Sequence, residues 1–97
     1  MAKIEWRDTQ QLHITGAVNF ENAAALYAAG KVALQGKKQF PIHVNLSEIE
    51  QPNTLLLAVL IQWLRACPTF DSLKFVAVPD KMRGIICASN LQHLIVD

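Results

Sequence analysis

Polar and apolar residues alternate through Gln11-Leu12-His13-Ile14-Thr15-Gly16-Ala17-Val18, the period-two pattern of a strand with one face buried. A shorter strand over Ile4 to Arg7 precedes it, with Asp8-Thr9-Gln10 as the turn. The period then lengthens. Phe20 to Gln35 is rich in alanine, the strongest helix former, and Asn19 is placed to cap its start by accepting a bond from a backbone amide two or three residues on. Leu26, Ala29, Gly30 and Ala33 fall on one narrow stripe, where small residues would let the helix lie close to a sheet, and Gly36 serves as its stop. Alternation returns in Phe40-Pro41-Ile42-His43-Val44-Asn45-Leu46, a strand followed by a connection over Ser47 to Pro52. A second helix runs from Asn53 to about Ala66 and is ended by Pro68. Ser72 to Val78 reads as a strand closed by Pro79-Asp80, Met82 to Asn90 as a third helix and Leu94-Ile95-Val96 as a last short strand. This alternation favours an α/β fold, with parallel crossovers and helices against a sheet. No repeat, low-complexity segment or linker interrupts the pattern, so residues 1–97 are expected to form a single domain.

The second helix is the most informative segment. At about 100° per residue, Leu56, Leu57, Leu60, Trp63 and Leu64 share one side, which must face the core. Thr54, Ala58, Gln62 and Arg65 share the opposite side, with Leu55 and Ile61 on its flanks and Val59 near its edge. Two readings of those flanks are open. Either the sheet wraps far enough to bury them, or Thr54, Leu55, Ala58, Ile61, Gln62 and Arg65 form a docking surface. Fully burying one large aliphatic side chain contributes about 1.5–3 kcal/mol, so a few of them can anchor an interface. Asn53 and Thr54 also sit at the positive end of the helix dipole, beside unpaired amides that suit a partner's acceptor or a phosphate.

Composition sharpens this picture. Hydrophobic residues make up 52% of the chain and charged residues only 18%, so either the core is dense or some apolar area is kept for a partner. A net charge of +1 gives no electrostatic case for nucleic acid or an anionic membrane, and the one adjacent basic pair, Lys37-Lys38, reads as a solvated loop. The longest apolar run, Leu55 to Ile61, falls far short of the ~20 residues that span a bilayer. The segment Met1 to Trp6 has neither a signal-peptide hydrophobic region nor a cleavage site, so a cytoplasmic chain is expected. Cys67 and Cys87 form no Cys-x-x-Cys pair and read as two buried thiols; His13, His43 and His93 are scattered, and no metal is expected. There is no glycine-rich phosphate loop, nucleophile motif or paired carboxylates, and Lys81-Met82-Arg83-Gly84 reads as solvated charge. The expectation is a binding protein without a cofactor, not an enzyme.

One family shares these features. Strand Ile42 to Leu46, then Ser47-Glu48-Ile49, then Gln51-Pro52-Asn53-Thr54 opening a leucine-rich helix, resembles the STAS domain (sulfate transporter and anti-sigma factor antagonist). The Leu12-His13-Ile14-Thr15-Gly16 strand and the order of elements fit too, so the resemblance spans essentially the whole chain. It implies a mixed sheet of four or five strands with helices packed on one side. The family signature is an Asp-Ser or Asp-Thr, usually followed by glycine, at the start of the second helix. In anti-sigma factor antagonists a partner kinase phosphorylates that hydroxyl. Asn53-Thr54 stands at this place, but Asn53 replaces the aspartate, and Leu55-Leu56 replace the small residues and would crowd a phosphoacceptor. Among STAS proteins the chain most resembles the small cytoplasmic subunits of Mla-type phospholipid-trafficking ABC transporters. That likeness implies a regulatory subunit docked on the ATPase through Asn53, Thr54, Leu55, Ala58, Ile61, Gln62 and Arg65. It would lie in the cytoplasm, at the inner membrane only through the complex. The alternative it implies is an anti-sigma factor antagonist switched by an anti-sigma kinase at Thr54.

Overall fold

The computed structural model describes residues 2–36 and 39–96; the Lys37-Lys38 pair lies outside the described residues. The elements are β1 (Lys3–Asp8), β2 (Gln11–Gly16), α1 (Ala23–Leu34), β3 (Ile42–Ile49), α2 (Thr54–Arg65), β4 (Leu73–Val76), α3 (Asp80–Ala88), a single 3₁₀ turn (Gln92–Leu94) and β5 (Ile95–Val96). They build a five-stranded sheet in the order β1-β2-β3-β4-β5, so each strand lies beside its predecessor in the chain. β1 and β2 form an antiparallel hairpin whose turn is held by the Gln10 amide donating to Asp8 Oδ1 at 2.7 Å. The other pairings are parallel, as strands linked by helical crossovers must be. Three crossovers that all step the same way and share one hand place their helices on the same side of the sheet.

The strands carry this one-sidedness in their side chains. Leu12, Ile14, Ile42, Val44, Leu46, Leu73 and Phe75 face the helices and are fully buried. The alternate residues His43, Asn45, Lys74 and Val76 are only half-buried, on the face that carries no helix. β2 departs from the expected alternation, because His13 is buried together with Leu12 and Ile14. Arg7 on β1 donates to Glu48 on β3 at 3.0 Å, and this ion pair links the two strands that flank His13. Hydrogen bonds from Arg7 to Glu5 and to Glu48 raise the guanidinium pKa above its ordinary value.

Several expected boundaries move; β4, for one, stops at Val76, two residues short of Val78. β3 continues through Ser47, Glu48 and Ile49, which had read as a connection, because a bulge after Asn45 restores pairing of Glu48 with Thr15 and Ile49 with Gly16. α1 begins at Ala23, not Phe20. Asn19 does accept from the amides of Glu21 and Asn22, at 2.9 and 3.0 Å, but these bonds close a turn ahead of the helix and leave Phe20 in solvent. α3 starts two residues earlier than its apolar pattern suggests, with Asp80 in its first turn, where a carboxylate suits the helix dipole. The thiols also differ from expectation: Cys87 is exposed and Cys67 half-buried, and neither is disulfide-bonded. Cys87 follows Ile86, which points inward with Met82, and so turns toward the outer side of α3.

Gly30 is buried, as its stripe requires, but what comes close to it is a helix and not the sheet. The Trp63 indole of α2 lies against the bare backbone of Gly30, and its Nε1 donates to the Tyr27 carbonyl of α1 at 3.0 Å. A Cβ at residue 30 would overlap the indole. Gly30→Ala is therefore expected to lower stability by about 1–3 kcal/mol through overpacking, although alanine is the better helix former. Urea denaturation of the two proteins checks the sign: propensity alone would make the variant more stable.

Candidate functional site

α2 begins where its first amides need acceptors, and Asn53 supplies one. Asn53 Oδ1 accepts from the Leu56 amide at 2.9 Å, the cap expected from the sequence. The same side chain also works in the other direction. Its Nδ2 donates to the Val18 carbonyl at 2.9 Å and to the Gln51 carbonyl at 3.2 Å, so it joins the helix start to the segment that leaves β2. The Glu50 amide donates to the Gly16 carbonyl at 2.9 Å and adds a second tie between the same two stretches. Between these ties Gln51 adopts φ 53°, a left-handed conformation that costs a non-glycine residue about 1–2 kcal/mol. The loop accepts that strain to turn the chain sharply from β3 into α2.

The faces of α2 separate as its sequence predicts. Leu56, Leu57, Leu60, Trp63 and Leu64 are buried, and Val59 joins them. Thr54, Ala58, Gln62 and Arg65 are exposed along the opposite side. Leu55 and Ile61 fall between the two readings of the flanks: each packs partly against the core and leaves part of its side chain in solvent. Six of the seven candidate contact residues thus lie along one strip. Asn53 is the exception, since both ends of its amide are engaged in holding the loop.

Along that strip the polar groups are uncommitted. Among the described residues, the Thr54 hydroxyl, the Gln62 amide and the Arg65 guanidinium make no hydrogen bond or ion pair with the rest of the chain. Thr54 is the first residue of α2, so its hydroxyl lies beside helix amides without a helical acceptor. The strip carries one charge, Arg65, in the last turn, where a cation suits the dipole. Beyond it a shallow cavity of about 210 Å³ is lined by Leu64, Arg65, Cys67, Pro68, Thr69 and Phe70. Burial pushes the Cys67 thiol pKa up, which keeps it protonated and a poor nucleophile. Among the described residues, no group of three His, Cys, Asp or Glu side chains is placed to hold a metal ion.

Phe20, assigned from sequence to the body of α1, is 93% exposed on the turn beside the helix start. The signal that separates it from the helix is the second asparagine, Asn22, which takes the N-cap position.

The two bonds that Asn53 donates require an amide. Asn53→Asp would keep the cap acceptor but set a carboxylate against two carbonyl oxygens. We expect it to lower stability by about 1–2 kcal/mol. Chemical denaturation, with hydrogen exchange of the Leu56 amide as a check that the cap persists, measures this.

With this geometry established, comparison with known proteins is direct. Residues 3–97 match the family described as "Mlab, STAS domain". A chain of the Acinetobacter MlaFEDB complex in its ATP-bound Vtrans2 conformation, the MlaB subunit, is 44% identical; the match covers 90% of this chain and 94% of that one, with a TM-score of 0.82. The same complex in its Vtrans1 conformation gives 44% identity, 90% and 92% coverage and a TM-score of 0.81. An anti-sigma factor antagonist from Mycobacterium paratuberculosis shares the fold at 18% identity, covering 98% of this chain and 81% of that one, with a TM-score of 0.76. No curated protein matches the sequence. The family match over residues 3–97 and the one-sided five-stranded sheet agree, and the chain belongs to the STAS domain family.

Proposed function

We infer that the chain is a non-catalytic regulatory or assembly subunit that binds the cytoplasmic ATPase of a phospholipid-transporting ABC complex, through the exposed side of α2. The observation that carries this reading is the 44% identity, over 90% of the chain, to the MlaB subunit of the Acinetobacter MlaFEDB complex. The free polar groups and half-exposed aliphatic flanks of α2 support the choice of surface. Leu55 and Ile61 supply apolar area, worth about 25 cal/mol for each Å² removed from water. The Thr54 hydroxyl and the first-turn amides offer donors to a partner carbonyl or carboxylate, and Arg65 offers a charge to an acidic side chain. A subunit that binds only the assembled ATPase stabilises that assembly by mass action, without performing chemistry itself.

No helix among the described residues is long and apolar enough to cross a membrane. In this reading the subunit lies in the cytoplasm and reaches the inner membrane through its complex. The exposed Thr54 hydroxyl also favours a second reading, an anti-sigma factor antagonist phosphorylated there by an anti-sigma kinase. Against it stand the commitment of Asn53 to the loop and the bulk of Leu55 beside the hydroxyl.

Thr54→Glu, which places a charge inside the proposed contact, is expected to weaken binding to the ATPase subunit at least tenfold while leaving the melting temperature within a few degrees. Leu60→Ala should behave oppositely. It empties a fully buried site, costs about 2–5 kcal/mol of stability and leaves the strip intact. Co-purification of each variant with the ATPase and permease subunits reads both effects. An intact complex with Thr54→Glu would remove α2 from the interface, and stoichiometric phosphorylation of Thr54 by an anti-sigma kinase would favour the second reading.

A further inference from the structure

Phe20 is the most exposed large hydrophobic side chain among the described residues, at 93%, against 74% for Phe70 and 69% for Val32. A single exposed apolar side chain is ordinary in a folded protein. Two features set this one apart: how firmly it is held, and what it is held beside.

The turn that carries Phe20 is closed by four bonds from side chain to backbone. Asn19 Oδ1 accepts from the amides of Glu21 and Asn22 at 2.9 and 3.0 Å. Asn22 Oδ1 accepts from the Asn19 amide at 2.9 Å, and Asn22 Nδ2 donates to the Ala17 carbonyl at 2.9 Å. The backbone on either side of Phe20 is therefore fixed, while the exposed ring keeps its own side-chain rotamers. A fixed backbone removes the loop-ordering part of the cost of binding. An aromatic ring brings about 150–250 Å² of surface to a contact.

The position of this turn supplies the second feature. Val18, two residues before Phe20, accepts the bond from Asn53 Nδ2, the side chain that also caps α2. The turn that carries the ring is thus tied to the start of α2, at the Thr54 end of the exposed strip. Exposed carboxylates, Glu21 on the turn and Glu50 ahead of α2, belong to this end, with one cation, Lys3, lining a cavity beside Asn22, and Arg65 lies at the other end. The Phe20 end is thus acidic by one charge and the far end of the strip basic, with apolar and neutral residues between.

We propose that Phe20 is the aromatic anchor of the α2 contact, received by an apolar pocket with a basic rim on the ATPase subunit. This rests on the reading of α2 as the docking surface and extends that surface across the Asn53–Val18 bond. The occupant that this polarity requires has a basic rim against Glu21 and Glu50 and an acidic group against Arg65.

The test measures affinity of the full chain for the ATPase subunit encoded in the same genome, for wild type, Phe20→Ala, Val32→Ala and Thr54→Glu. Because the Phe20 ring is in solvent, Phe20→Ala should melt at the wild-type temperature. It is expected to weaken binding tenfold or more, and Val32→Ala, on the outer side of α1, to change it less than twofold. Wild-type affinity for Phe20→Ala alongside loss for Thr54→Glu overturns the anchor and leaves the α2 contact standing. Wild-type affinity for both overturns the α2 contact and the anchor with it. An equal loss for Phe20→Ala and Val32→Ala also overturns the anchor, because the effect would then belong to exposed apolar surface in general.

Discussion

The indole of Trp63 pressed on the backbone of Gly30 sets the rotation of α2 about its own axis. With the ring lodged between the two helices and its Nε1 bonded to the Tyr27 carbonyl, α2 has one orientation in which Leu56, Leu60 and Leu64 enter the core. The opposite side is determined by that choice. Thr54, Ala58, Gln62 and Arg65 are outside because Trp63 is inside, and the absence of a side chain at residue 30 is the condition for it.

A second constraint acts at the start of the same helix. Asn53 is an acceptor toward the helix and a donor toward the neighbouring loop, a combination that an ionised aspartate does not offer. The amide thus fixes the helix start against the loop that leaves β2, and Leu55, two residues on, packs partly against the core.

The fold was legible in the sequence where burial alone decides. The inward positions of β2 and β3, the two-sided α2 and the glycine stop of α1, whose Gly36 takes φ 78°, all depend on local sequence and appear where their patterns place them. What was not legible depends on partners distant in the chain. The extension of β3 through Ile49 requires β2 to offer Thr15 and Gly16 after a bulge, and His13 is buried on a strand whose two neighbours are linked by an ion pair between residues 7 and 48. The small-residue stripe of α1 announced a close approach without naming the neighbour, which proved to be Trp63. In the candidate site, periodicity separated the exposed residues from the core correctly. It could not show that Asn53 faces back into the loop, because the Val18 carbonyl lies 35 residues earlier.

The sheet order repeats the order of the chain, and this bears on how the molecule is made. Each strand lies beside the one synthesised just before it, so the sheet leaves no gap for later filling. Pairing sequence neighbours carries less entropic cost of loop closure than joining more distant segments. α1, on which Trp63 seats α2, precedes it in the chain, whereas α3, which also packs against α2, follows it. The outward side of α2 therefore has part of its footing early and completes it only with the last helix.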